Sequence, residues 1–277
     1  TESLVIDTQW NPKTDMGPLI EPIKDSKLNQ FSALSENEYW LLEPKVSQEN
    51  PHFCSPGIKC GVSKESVELS TEYFAPLLIV VTVNSFKEAL EVVEASPYGL
   101  TAGLHSLIEE EKAEWVAEVN VGNYYINRAT TGAIVARQPF GGIKKSKYGS
   151  GVKTGGPNYL YQLINIDQEE IVKVDADLSE SVTILLRCLK GFLDSNQHAH
   201  LEELAKYYQD ACKRLKTSHL TENLYGEHNH YYYKKIDYQT IRMNGNLDIN
   251  ELSHLIICLT TEPRCFEISV SSDPKWM

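Results

Sequence analysis

Residues 77–83 read LLIVVTV, an unbroken apolar run rich in β-branched side chains. A strand with one wet face alternates apolar and polar positions, so a continuous run predicts a strand covered on both faces. A helix start follows at once. Ser85 and Glu88 have capping-box spacing, Phe86, Ala89, Leu90 and Val93 recur at helical intervals, and Ser96-Pro97 ends the pattern. The logic then repeats with a strand over 100–105, a helix over 109–120 carrying Trp115, Val116 and Val119, and a strand over 123–127. Such alternation predicts an α/β fold with a mostly parallel sheet across the first 165 residues.

Between residues 129 and 159 the periodicity is lost and the composition shifts to Gly, Ser, Thr and Lys. A loop of this length inside a compact domain points to a function. Beyond Ile166 the character changes again. Residues 179–192 and 201–215 read as amphipathic helices, the second with Leu201, Leu204, Ala205, Tyr208 and Cys212 on one face. Strands over 228–233 and 236–241 and a helix over 250–259 complete an α+β extension. The chain thus divides at 1–128, 129–166 and 167–277.

Composition narrows the functional classes. A formal net charge of −12 opposes a surface built to hold phosphate backbones, and no nucleic-acid partner is expected. No stretch approaches the run of about 18 apolar residues that a membrane span needs, and TESLVIDTQW has neither the basic nor the apolar region of a signal peptide. The six cysteines, Cys54, Cys60, Cys188, Cys212, Cys258 and Cys265, have no CxxC spacing and read as free thiols in a reducing, cytoplasmic compartment. The chain opens without a methionine, as a fragment would.

Four segments carry a resemblance in this order: TDMGPLI at 14–20, TEYFAP at 71–76, SPYGLTAGLHS at 96–106, and GNYYINRATTGAIVARQPFGGIKKSKYGSGVKTGGPNYL at 122–160. Together they resemble the aldehyde dehydrogenase superfamily. Within it they look most like the glutamate-semialdehyde (1-pyrroline-5-carboxylate) dehydrogenases, and especially the dehydrogenase module of bifunctional proline utilization A-type enzymes. The resemblance covers roughly the first three fifths of the chain, and GEHNHYYY at 226–233 resembles the extension of the same enzymes more weakly. It implies that 1–128 is the second part of a catalytic domain, and that 129–166 holds a substrate-anchor loop and an oligomerisation or return strand. It also implies that 167–277 is a carboxyl-terminal extension.

What the resemblance implies chemically is specific. Enzymes of this family attack an aldehyde with a cysteine thiolate, pass hydride to NAD and hydrolyse the resulting thioester. The Glu of an ExF motif accepts hydrogen bonds from the nicotinamide ribose hydroxyls, because a carboxylate is acceptor-only, and the aromatic two residues later packs beside the nicotinamide. Here these are Glu72 and Phe74. Outside the motif, Glu72 would read as a solvated carboxylate. The loop after PFGG anchors the far end of the substrate, where Gly-rich backbone and a hydroxyl cradle a carboxylate. Ser146 is the first candidate for that contact, Gly149 and Ser150 are alternates, and Phe140 lines the same stretch. Lys144, Lys145, Lys147 and Lys153 either add positive potential or form a solvated loop face.

The family's nucleophile and general base lie in GQxC-type and ELGG-type segments absent from this sequence, so both are expected upstream of Thr1, and the chain alone is expected to be inactive. Nothing near Cys54 looks arranged to lower its pKa. The resemblance further implies the upstream part of the same polypeptide as a partner, a homo-oligomer when full length, and FAD in an upstream proline dehydrogenase domain rather than in this chain. The pairs His198/His200 and His228/His230 fall short of a zinc ligand set and read as surface or packing residues, so no metal is expected. The competing class is a noncatalytic lid or oligomerisation module. Retention of both ExF and PFGG favours the enzyme.

Overall fold

The computed structural model describes residues 3–23, 32–131, 133–134, 137–149, 151–165, 173–234, 238–243, 248–261 and 265–270. The chain forms two compact units, Thr1–Gly132 with Phe140–Thr154, and Ala133–Pro139 with Gly155–Met277. Residues 129–166 are therefore divided between the two.

In the first unit, β1 (Tyr39–Leu42) pairs antiparallel with β2 (Gly57–Cys60), and β2 pairs parallel with β3 (Leu77–Ile79). The apolar run at 77–83 is a strand over its first three residues only. Among the described residues only β2 pairs with β3, Leu78 and Val80 are exposed, and the expected cover on both faces is not found. The helix α1 (Phe86–Ala95) starts where Ser85 accepts the Glu88 N–H at 3.1 Å. The carboxylate of Glu88 accepts instead from the Asn84 N–H and from Lys64, each at 2.8 Å, so only half of the anticipated capping box forms.

After β4 (Tyr98–Gly99), a parallel unit runs from β5 (Thr101–Leu104) through α2 (Glu109–Glu118) to β6 (Asn123–Ile126), in register from Thr101↔Asn123 to Leu104↔Ile126. Parallel neighbours need such a crossover, and α2 supplies it. Leu90, Trp115, Val119 and Val121 form the buried core beneath it, against Ala102, Leu104 and Tyr124. The stretch expected as a loop then returns. Phe140 exchanges backbone hydrogen bonds with Thr154 at 2.9 and 3.0 Å, and β7 (Ile143–Lys144) pairs antiparallel with β4. Gly122 allows this return, because a Cβ there would lie 1.8 Å from the Gly141 carbonyl oxygen.

The second unit packs α3 (Glu180–Leu189), α4 (Ser195–Leu215) and α5 (Ile249–Thr261) around Val182, Leu186, Leu201, Ala205 and Ile257. Helix α4 begins before residue 201 because Asp194 and Gln197 close a reciprocal capping box. A hairpin of β8 (His219–Leu224) and β9 (Glu227–Tyr231) turns through Gly226 at φ +81°, and β10 (Tyr238–Met243) pairs parallel with β11 (Cys265–Val270) across α5. Together the parallel βαβ unit and the α+β extension match the fold class read from the alternation. Among the described residues no helix is long and apolar enough to cross a membrane.

The Gly122–Gly141 approach is backbone on backbone, so no rotamer change relieves an added methyl. Gly122→Ala is expected to destabilise the protein by at least about 2 kcal/mol, within the range of overpacking. Chemical denaturation checks this, and a midpoint equal to the wild type would show that the return strand yields freely.

Candidate functional site

The segment from Thr71 to Pro76 is fastened at both ends. On one side a 3-10 helix, Val67–Ser70, closes with the Thr71 N–H on the Glu68 carbonyl at 3.2 Å and the Thr71 hydroxyl on the Val67 carbonyl at 2.9 Å. On the other side the Pro76 carbonyl accepts from Gly57 N–H at 2.9 Å, which begins the β2–β3 ladder. Between these points Tyr73 turns inward, only 8% exposed, while Glu72 and Phe74 turn outward and Phe74 is 78% exposed. Phe74 adopts φ +53°, a left-handed conformation that a bulky side chain occupies at a cost of roughly 1–2 kcal/mol. Strain and exposure of an aromatic ring thus coincide in one residue. The sequence motif thus becomes an outward carboxylate and an outward ring on either side of a buried phenol.

The anchor-loop candidates lie on a separate segment. Ser146 accepts the Gly99 N–H on its hydroxyl at 3.1 Å, which ties the loop to β4 and leaves the hydroxyl hydrogen to donate. Gly142 packs against Ser146 so closely that a Cβ would lie 2.1 Å from the Ser146 carbonyl oxygen. Gly149 takes φ +65° at the exposed tip, with open space where a side chain would be. Phe140 is 36% exposed on the strand-like return. Ser150 lies outside the described residues.

The four lysines part company. Lys145 and Lys147 are exposed. Lys144 reaches back to the end of α1, where its ammonium donates to the Glu94 and Ser96 carbonyls at 2.9 and 3.1 Å and pairs with the Glu94 carboxylate at 3.1 Å. Glu94 in turn accepts from the Asn120 N–H at 2.8 Å. A cation at a helix C-terminus is favourable, and this one also fastens the loop. Lys153 is half-buried and donates to the Gly122 carbonyl, and burial pushes its amine down to about 8.

A residue the hydrophobic pattern did not single out is bound to the 3-10 helix that leads into the Glu72 segment. Lys59, in β2, is 0% exposed; its ammonium contacts Glu68 at 2.7 Å and Glu38 at 3.7 Å, donates to the Ala33 carbonyl at 2.6 Å, and lies 5.2 Å from the Trp40 ring centroid. A lysine inside the short apolar run GIKCGV was the signal for it. Cys54 and Cys60 are buried, and burial pushes the Cys54 thiol up, the wrong direction for a nucleophile. His198 donates from Nε2 to the Leu186 carbonyl, His230 meets the Ser218 hydroxyl, and no group that could hold a metal ion occurs among the described residues.

The model of the aldehyde dehydrogenase family matches residues 1–168. A curated 1-pyrroline-5-carboxylate dehydrogenase of Staphylococcus aureus is 34% identical over 155 residues, 54% of this chain and 29% of that protein. Among solved structures, proline utilization A from Corynebacterium freiburgense aligns over 98% of this chain and 27% of its own, with 28% identity and a TM-score of 0.84. A Thermus 1-pyrroline-5-carboxylate dehydrogenase with bound NAD aligns over 58% of this chain and 31% of its own, with 35% identity and a TM-score of 0.50. The chain therefore spans less than a third of the length of these relatives.

Lys153 carries a pH signature. Its folded value of about 8 lies below the unfolded lysine value of roughly 10.4, so across that window the unfolded chain holds the extra proton and stability rises with pH. Below pH 8 both states are protonated and the dependence vanishes. Thermal melts of the wild type and Lys153→Met are expected to show the wild type gaining on the variant between pH 8 and 10. A constant gap would contradict the buried position.

Proposed function

Since the chain belongs to the aldehyde dehydrogenase family, we propose that it is the carboxyl-terminal portion of an NAD-dependent L-glutamate γ-semialdehyde (1-pyrroline-5-carboxylate) dehydrogenase. In this reading it grips the nicotinamide end of the cofactor and the carboxylate end of the substrate. The observation that carries the reading is the short segment on which Glu72 and Phe74 face outward together about a buried Tyr73. An acceptor-only carboxylate suits a pair of ribose hydroxyls, and an exposed ring beside it suits a flat heteroaromatic. NAD, when bound, supplies the hydride acceptor of the reaction.

Glu72 orients the ribose and Phe74 packs beside the nicotinamide. Their strained and fastened backbone keeps the positions fixed without reorganisation at the moment of reaction. At the other end, the Ser146 hydroxyl donates to the substrate carboxylate, with Gly149, Ser150 and Phe140 completing the cradle. The names of the relatives support this substrate, because both the Staphylococcus aureus and Thermus proteins are called 1-pyrroline-5-carboxylate dehydrogenases. We assign the nucleophilic cysteine and general base to a segment outside this sequence, and the buried thiols of Cys54 and Cys60 agree with that. The likeness to proline utilization A extends over nearly the whole chain and supports a bifunctional, proline-oxidising parent, with FAD in a separate proline dehydrogenase domain and a homo-oligomeric assembly.

The full-length parent protein is expected to oxidise glutamate γ-semialdehyde with NAD. Glu72→Ala should raise the KM for NAD about tenfold, the loss of hydrogen bonds to a charged acceptor. Ser146→Ala should lower kcat/KM for the semialdehyde about tenfold and for propanal, which has no carboxylate, much less. Equal losses on the two aldehydes would remove Ser146 from the anchor, and unchanged kinetics in Glu72→Ala would remove Glu72 from the site.

A further inference from the structure

We propose that the buried Lys59–Glu68 ion pair, with Tyr73 as its lever, is a positioning device that holds Glu72 and Phe74 in their cofactor-binding conformation. The proposal rests on the reading of Glu72 and Phe74 given above and deepens it.

A buried ion pair is a poor source of stability. Desolvation of the two charges offsets most of their attraction, and apolar residues of the same volume often do as well. Its presence in a small sheet therefore needs another account, and its place supplies one. Lys59 belongs to β2, whose backbone already fixes the far end of the segment through Gly57 and Pro76. Its side chain fixes the near end, because Glu68 lies in the 3-10 helix whose carbonyl receives the Thr71 N–H. One strand thus clamps both ends of the six-residue stretch from Thr71 to Pro76, one end by backbone and one by charge.

Tyr73 links the clamp to the site. It is only 8% exposed, and burial, then the charges of Glu68 and Glu38, push its phenol above the ordinary range. With Tyr73 buried, its two sequence neighbours, Glu72 and Phe74, point the other way. Phe74 is then driven into the left-handed conformation at φ +53°. Because that conformation costs free energy, it persists only while something over-determines it. If Lys59 is replaced by an apolar residue, Glu68 and Glu38 are left buried and uncompensated, and the 3-10 helix must move to hydrate them. The first thing that movement displaces is Glu72.

The test is a double-mutant cycle in the full-length parent enzyme, read as the Kd for NAD by calorimetry together with the KM for the semialdehyde. Lys59→Met and Glu68→Gln should each raise the NAD Kd about tenfold, and the double variant should be no worse than the poorer single one. The semialdehyde KM should stay within twofold throughout. Glu72→Ala added to Lys59→Met should weaken NAD little further, since the contact is already lost. Glu68→Gln keeps the shape of the side chain and carries the test if Lys59→Met does not fold. NAD affinities that multiply in the double variant, or single variants with unchanged NAD Kd, overturn the proposal. If Glu72→Ala weakens NAD while Lys59→Met does not, the positioning role alone fails. If Glu72→Ala itself leaves the NAD Kd unchanged, the Glu72 reading fails as well.

Discussion

The Lys59 ammonium, fully buried between Glu68 and Glu38, is the constraint on which the candidate site depends. An isolated charge in that position would cost several kcal/mol, and two carboxylates without the lysine would cost more. The three groups can lower that cost only in one arrangement, with β1, β2 and the 3-10 helix brought to the same point. This arrangement carries the chain into the 71–76 segment with Tyr73 inward. The local strain at Phe74 and the outward carboxylate of Glu72 are consequences of it.

The loop between Phe140 and Thr154 is held by a different physics. Here the backbone itself makes the close approaches, at Gly122 against Gly141 and at Gly142 against Ser146, where a single methyl group would collide. Charge enters as a fastening, with Lys144 closing the end of α1 and binding Glu94. The Ser146 hydroxyl accepts from the Gly99 N–H and keeps its own hydrogen to donate. A glycine-built loop thus gains rigidity without bulk, and the backbone at its tip is exposed.

Much of this was legible in the residues. The βαβ unit over β5, α2 and β6 followed from periodicity because its helix and strands bury apolar faces on one another, and α1 followed from Ser85 and Pro97. The family was legible from ExF and PFGG because these motifs fix residue type as well as pattern. Short strands were not. β1 and β2 have four residues each, and β2 contains a lysine, so no apolar alternation announces them. The run at 77–83 misled in the opposite direction, since hydrophobicity reports what can be buried and not how many strands pair beside it. For the same reason the roles of the lysines could not be read from charge alone. Lys144 and Lys153 serve the backbone of the fold, which only the path of the return strand reveals.

A structure of the full-length parent protein with NAD bound tests the account most directly. Both hydroxyls of the nicotinamide ribose should lie within hydrogen-bond distance of the Glu72 carboxylate, roughly 2.5–2.9 Å, with the Phe74 ring alongside the nicotinamide and Lys59 still paired to Glu68 beneath. A cofactor whose ribose is held by other residues, with Glu72 turned to solvent, would contradict it.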